Sequence, residues 1–212
     1  MNPPIVTLLT DFGLRDTFAG QVRGAILSVA PSCEIVDLTH HVAPQDVLGG
    51  AIQLWCAVEV FPSGTIHLAV VDPGVGSSRR AVAARAARGD VLVGPDNGLL
   101  APALDRLGGT VAAVELTDRS FWRPAPSTTF HGRDIFGPVA AHLALGVALE
   151  CLGPAVELAR PFSLPPPRGL DGQVLAVDGF GNLLTNLPAS TLPPRFVVEL
   201  GGRRIEPAAN YA

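Results

Sequence analysis

Three apolar runs, IVTLLT (5–10), CEIVDLTH (33–40) and TIHLAVV (65–71), alternate with two stretches of helical spacing. That order constrains the fold more than any other feature of the chain. Strands separated by a helix-length connection pair in parallel, and a parallel sheet needs helices over its faces. Between the first two runs, Phe18, Val22, Ile26 and Val29 recur at steps of four, four and three on one face, with Asp16 as a candidate N-cap and Pro31 as the stop. Between the second and third, Asp46 is placed to cap a helix whose stripe is Val47, Ala51, Leu54, Val58 and Phe61, ended by Pro62. AVAARAA and VLVGPDNG (81–98) read as two more strands around an Arg-Gly-Asp turn, followed by a helix over about 98–107 and the strand VAAVEL (111–116). A last helix is expected from Asp134 to Leu149, with Phe136, Ala140, Leu143 and Val147 on one side.

The composition then shifts. PFSLPPPRG (161–169) can be neither helix nor central strand, while QVLAVDGFGNLLTNL and RFVVELGGRRIEP are β-like with turn residues. The expected organisation is an α/β N-terminal domain over 1–160, a Pro-rich linker over 161–169, and a small all-β, barrel-like domain over 170–212. A chain of 212 residues buries roughly 70% of its unfolded surface and needs no disulfide or metal staple. Net charge is −4, the arginines are scattered, and no nucleic-acid groove is indicated. The three cysteines (Cys33, Cys56, Cys151) lie far apart without C-x-x-C spacing, which suits reduced thiols in the cytoplasm. MNPPIVTLLTDFG lacks the basic start of a signal peptide, and no apolar run approaches the ~20 residues of a membrane span.

Ligands in open α/β sheets bind beyond the carboxyl ends of the strands. Asp11, Asp37 and Asp72 occupy that position after the first three strands. Any of them alone is commonly a cap or turn acid. In TDFGLRD (10–16), Asp11 and Asp16 flank a glycine turn, where a carboxylate can accept both hydroxyls of a ribose. VVDPGVGSSRR (70–80) carries two glycines but no third for a dinucleotide loop, and the chain has no lysine for a P-loop or a Schiff base. Ser77 and Ser78 sit in a turn where hydroxyls bond local backbone, and no serine stands in G-x-S-x-G. In STTFHGRDIFGP (127–138), His131 precedes a helix and is the best candidate for a base or proton relay, with a capping Asp134 beside it. His67 and His142 read as structural, and His40 and His41 stay open. No H-E-x-x-H, H-x-H pair or cysteine cluster points to a metal. In VDGFGNLLTN (177–186), Asp178 and Asn182 flank a turn whose tip, Phe180, is either hairpin chemistry or a platform for a flat ligand.

In combination these segments resemble one family. TLLTDFGLRDTFAGQVRGAILSVAP, IVDLTH, VVDPGVGSSRR, VGPDNGLL, TFHGRDIFGPVAAHLA and DGFGNLLTN occur in the order and at the spacings of the S-adenosyl-L-methionine hydroxide adenosyltransferases, relatives of the fluorinating and chlorinating enzymes. The resemblance runs from about residue 5 to about residue 187. It implies an α/β domain with a β-barrel-like partner, a homotrimer with substrate between subunits, and attack of water on C5′ of S-adenosylmethionine, with no cofactor. It further implies an Asp-Arg-His set at Asp72, Arg79 and His131. By the chemistry of these residues Asp72 can fix the water and His131 can accept or relay its proton, with either Asp72 or His131 as the base and a relay as the expectation. Asp11 is then matched to the ribose hydroxyls, Asp178 to the methionine ammonium and Asn182 to the adenine edge, with Asp16, Phe130, Gly132 and Phe180 lining the pocket.

Halogenating relatives carry a long insertion where only AARAARGD precedes VLVGPDNGLL here, a halide-binding serine at Gly132, and an aromatic at Asp72; these differences favour water. Family members continue for tens of residues past the point matching NYA (210–212), so a shortened C-terminal domain is expected, without some adenine and carboxylate contacts. The competing expectations are a non-catalytic protein that binds adenosine or S-adenosylmethionine, and, further off, a halogenase.

Overall fold

The computed structural model describes residues 3–206 and divides into two compact units between Ser163 and Leu164. The end of the expected C-terminal domain, NYA included, lies outside the described residues. In the first unit a six-stranded sheet has the order β2-β1-β3-β5-β4-β6, formed by β1 (Ile5–Thr10), β2 (Glu34–Thr39), β3 (Ile66–Val70), β4 (Ala81–Ala86), β5 (Val91–Pro95) and β6 (Thr110–Glu115). β1 pairs in parallel with β2 and β3, β3 in parallel with β5, and β4 is antiparallel to both its neighbours. The alternation of strands and helices gives the parallel pairs, and the antiparallel β4, joined to β5 by a short turn, makes the sheet mixed.

Both faces are covered. Val6, Leu8, Leu68 and Val70 point to a layer made by α1 (Phe18–Val29) and α4 (Gly137–Ala144), while Leu9, Ala69, Val71 and Leu92 point to α2 (Val47–Ala57) and α3 (Ala101–Arg106). This explains why the central strands read as continuous apolar runs rather than alternating ones. Val22 and Ile26 of α1 are fully buried, and Leu54 of α2 and Leu104 of α3 are too. Each such side chain contributes about 1.5–3 kcal/mol relative to exposure.

Two helix ends differ from the sequence reading. Asp46 caps α2 as expected, its carboxylate accepting the N–H of Gly49 at 2.9 Å. Asp16 does not cap α1: Thr17 is the N-cap, without a side-chain bond, and Asp16 lies exposed. The helix starts later because residues 11–17 form an irregular loop, and only from the Thr17 carbonyl, bonded to Gln21 N–H at 2.9 Å, does the ladder run. The last helix also departs from the expected 134–149. It opens as a π-helical turn, Gly132–Phe136, in which Gly137 N–H bonds the Gly132 carbonyl. It ends at Ala144, because Gly146 adopts φ +89° and its N–H turns back to the Leu143 carbonyl, a glycine stop. Leu149–Leu152 is a separate 3₁₀ turn that buries Leu149 and Leu152.

The start of the Pro-rich segment packs on the first unit: Phe162 joins the α2–α3 layer and lies against Gly98. The second unit holds two antiparallel hairpins, β7 (Val174–Val177) with β8 (Leu183–Thr185) and β9 (Val198–Leu200) with β10 (Arg203–Ile205). Gly201 and Gly202, at φ +56° and +77°, make the tight turn of the second hairpin. Among the described residues no helix is long and apolar enough to cross a membrane.

Candidate active site

From β1 the chain leads to β2 on one side, while β3 lies on the other. Neighbouring strands whose connections diverge in this way leave a crevice at their carboxyl ends. Asp11 directly follows β1 and Asp72 follows β3 by two residues, so both carboxylates border the crevice. They line a cavity of about 240 Å³ together with Phe130, His131 and Gly132. Four segments far apart in sequence meet there.

The loop after β3 is held by its own polar groups. Ser77 donates its hydroxyl to the Gly74 carbonyl at 2.7 Å and accepts the N–H of Arg79 at 3.2 Å, the local backbone role read from the sequence. Gly76 has φ +77°, and a Cβ there would stand 2.5 Å from the Thr128 carbonyl oxygen. The absent side chain lets the loop press on the segment that leads into His131. Gly76→Ala is expected to lower the melting temperature: left-handed backbone alone costs about 1–2 kcal/mol, and the clash adds to it. A thermal melt checks this, and an unchanged Tm would mean that the loop relaxes freely.

The close approach brings the Asp-Arg-His set together. Arg79 donates Nε–H to Asp72 Oδ1 at 3.0 Å and Nη2–H to Oδ2, a two-point contact between nearly buried partners. Its guanidinium also stands over the Phe136 ring, 5.3 Å from the centroid. The same Nη2 donates to His131 Nδ1 at 3.2 Å. A guanidinium has only donors, so Nδ1 must present its lone pair and the proton of the neutral ring sits on Nε2. Burial pushes the His131 pKa below its ordinary value and the Arg79 charge does the same, against smaller opposing effects of Asp72 and Asp134. His131 is thus a neutral imidazole with a fixed tautomer.

Beneath it, Asp134 is buried and serves as an anchor more than a helix cap. It accepts Arg133 Nε–H and Nη2–H at 2.7 and 2.9 Å and the Ser127 N–H at 2.9 Å, and Arg133 lies over the Phe130 ring at 4.8 Å. These donors hold the Asp134 carboxyl below its usual range against the cost of burial.

Asp11, expected to accept both hydroxyls of a ribose, already accepts the Gln45 N–H on Oδ2 at 2.8 Å. Gln45 also lines the cavity and holds φ +65°. Sequence reasoning missed it, since no local signal marks a glutamine for left-handed backbone. Phe12 was missed as well. Its ring stands against Gly132, where a Cβ would come to 3.2 Å of it, and makes edge contacts with Phe130 and Phe18 at 5.8 and 6.3 Å. Asp16 is exposed and is not among the cavity's lining residues.

Asp178, Phe180 and Asn182 belong to the second unit. There Asp178 Oδ1 accepts the N–H groups of Phe180 and Asn182 at 2.9 and 2.8 Å, and Oδ2 accepts the Asn182 amide at 2.6 Å. Asn182 and these backbone donors lower the Asp178 pKa. Phe180 is 91% exposed at the tip. Of the remaining candidates, Asp37 binds Arg23 at 2.6 Å, Arg80 pairs with Asp96, and His142 packs edge-on against Phe121 at 5.1 Å.

A mixed α/β sheet with a carboxylate, a guanidinium and an imidazole converging on a strand-end cavity defines an enzyme-type small-molecule site. Residues 6–153 match the family described as SAM hydroxide adenosyltransferase N-terminal domain, and the chain belongs to that family. It is 48% identical over 197 residues to the (R)-S-adenosyl-L-methionine hydrolase of Salinispora tropica, covering 90% of this chain and 75% of that protein. A fluorinase of an Actinoplanes species is 31% identical over 220 residues, covering 89% of this chain and 73% of its own. The crystal structure of an uncharacterized conserved protein from Thermotoga maritima matches at TM-score 0.88 and 36% identity, over 95% of this chain and 81% of that one.

Proposed function

We propose that the protein hydrolyses S-adenosyl-L-methionine to adenosine and L-methionine. Water attacks ribose C5′ in line with the C5′–S bond. The new C–O bond forms as the C–S bond breaks, its electron pair neutralising the sulfonium, and the water gives up one proton. A sulfonium leaves without acid assistance, so the protein must position the water and take that proton. Positioning can supply ~7–11 kcal/mol and a placed base a further ~10²–10⁴-fold.

The observation that carries this reading is the Asp72–Arg79–His131 contact, in which Asp72 and His131 line the same cavity as Asp11 and Arg79 joins them. Arg79 uses one lone pair of each Asp72 oxygen, and the others remain for water. Because Nδ1 of His131 is occupied by Arg79, the ring offers water an Nε2–H donor, and Asp72 accepts the proton. This replaces the relay through His131 expected from sequence. Asp11 holds the ribose hydroxyls with the lone pairs that Gln45 leaves, Phe130 and Gly132 form the wall, and Asp178 and Asn182 serve the methionine ammonium and the adenine edge. Asp16 and Phe180 complete the substrate contacts in the family pattern. A halide is disfavoured, because a carboxylate offers an anion only lone pairs. The protein acts in the cytoplasm as a homotrimer with substrate between subunits. Supporting this, the cavity of one chain, about 240 Å³, is smaller than the roughly 300–1,000 Å³ of most small-molecule sites.

Incubation with S-adenosylmethionine and excess chloride tests the chemistry: adenosine and methionine in equal amounts are expected. 5′-Chloro-5′-deoxyadenosine in excess of adenosine would make the enzyme a halogenase. Calorimetric binding without release over hours would leave a binding protein. Sedimentation at micromolar concentration tests the trimer, and a monomer would refute it.

A further inference from the structure

Strand β1 carries two fully buried threonines, and each begins the same chain of side chains. Thr7 Oγ1 meets His67 Nδ1 at 2.8 Å, His67 Nε2 faces Asp90 at 3.5 Å, and Asp90 is held by Arg88 at 2.7 Å. Thr10 Oγ1 meets His40 Nδ1 at 2.8 Å, His40 Nε2 faces Asp37 at 3.4 Å, and Asp37 is held by Arg23 at 2.6 Å. Both imidazoles are buried, at 0% and 3% exposure.

The two chains differ in what else they hold. Thr7 lies mid-strand, within the ladder of β1 with β2 and β3. Thr10 closes β1 beside the cavity, and its hydroxyl oxygen also accepts the N–H of Phe12 at 3.2 Å. The His40 carbonyl accepts the N–H of Gly13 at 2.7 Å. The Thr10 hydroxyl can then donate its proton to His40 Nδ1, the arrangement in which the ring proton sits on Nε2, on the side of Asp37. The Thr10 hydroxyl, itself held by the His40 ring, and the His40 main-chain carbonyl thereby fix the two peptide groups that follow Asp11, while Gln45 fixes its carboxylate.

We infer that His40 and Thr10 are positioning residues for the Asp11 carboxylate and set the affinity of the site for the ribose end of its ligand. This rests on the reading of Asp11 as the group that holds the ribose hydroxyls. Such a contact is equal in ground state and transition state, so its loss raises KM and leaves kcat nearly unchanged.

Thr10→Val and Thr7→Val are a matched pair, each removing one hydroxyl from an equivalent chain with little change of shape. Both are expected to lower Tm. Only Thr10→Val is expected to raise KM for S-adenosylmethionine, on the order of tenfold, the worth of one buried hydrogen bond. Thr10→Ser restores it, and His40→Ala adds nothing further in the Thr10→Val background, because the two act as one unit. Equal KM shifts in the two valine variants, or none in either, overturn the inference. Should the wild-type protein release no adenosine, the hydrolase reading fails separately. Calorimetric adenosine binding then reads the same loop, with weaker binding by Thr10→Val alone expected and equal affinities overturning the inference.

Discussion

Asp72→Asn lowers turnover of S-adenosylmethionine by ~10²–10⁴-fold, the range for losing a positioned base, while the chain stays folded. Asparagine keeps the shape of the side chain and one oxygen that accepts from Arg79, while its nitrogen faces the second Arg79 donor. It loses the lone pairs that take the water proton, because its nitrogen is a donor. Alanine is the less informative change. It leaves the Arg79 guanidinium, 8% exposed, without its carboxylate, and breaking a buried pair from one side costs about 3–5 kcal/mol. Lost activity would then be confounded with lost structure. Asn is the milder of the two changes, and circular dichroism and a thermal melt separate lost chemistry from lost structure. A D72N enzyme that keeps near-full kcat would remove Asp72 from the reaction.

His131 separates two mechanisms by the variant that tolerates its loss. If the ring acts as an Nε2–H donor, His131→Ala loses about 10²-fold through a misplaced water, and His131→Gln stays within about tenfold of wild type, one hydrogen bond's worth. Glutamine can reproduce the pattern, with an oxygen to accept from Arg79 and an amide to donate toward the cavity. It cannot act as a base. Equal, large losses in both variants would reinstate the relay.

The pH dependence follows from the same geometry. Burial and Arg79 hold the folded-state pKa of His131 below 6.5. Protonation would put a second proton on Nδ1, facing a guanidinium donor. The unfolded chain therefore binds this proton first as pH falls. The stability tied to the neutral ring is present above pH 6.5 and is lost as pH drops through the folded-state pKa. Wild-type kcat/KM should be flat above that value as far as His131 is concerned, with its acid limb below it. The difference in Tm between wild type and His131→Gln should begin to change as pH falls below 6.5, where the unfolded chain protonates, and level off below the folded-state pKa, which melts across about pH 5–8 would read.

Local features were legible where the physics is local. The apolar runs and their helical spacers dictated the sheet and its two helical layers, because parallel strands buried on both faces require that order. Asp46 announced its helix, and the serines of VVDPGVGSSRR announced a turn that bonds itself. The seven-residue return from Asp72 to Arg79 fits the same category, since a tight Pro-Gly turn carries the arginine back to the carboxylate. Asp16 shows the limit of such reading: it stands where a cap belongs, yet the chain remains irregular through it and leaves the cap to Thr17.

Only the tertiary structure decided how the distant pieces act. His131 reaches Arg79 across 52 residues because Gly76 lacks a side chain where the Thr128 carbonyl passes. That contact selects the ring's tautomer and with it a donor in place of a base. Gln45 reaches Asp11 only through left-handed backbone, and His40 becomes part of the Asp11 loop only because β2 lies beside β1. The sequence by itself determined which residues could do chemistry and which elements carry them. The direction of each hydrogen bond among them came from long-range packing, because a donor acquires its acceptor only when the fold brings the two within about 3 Å.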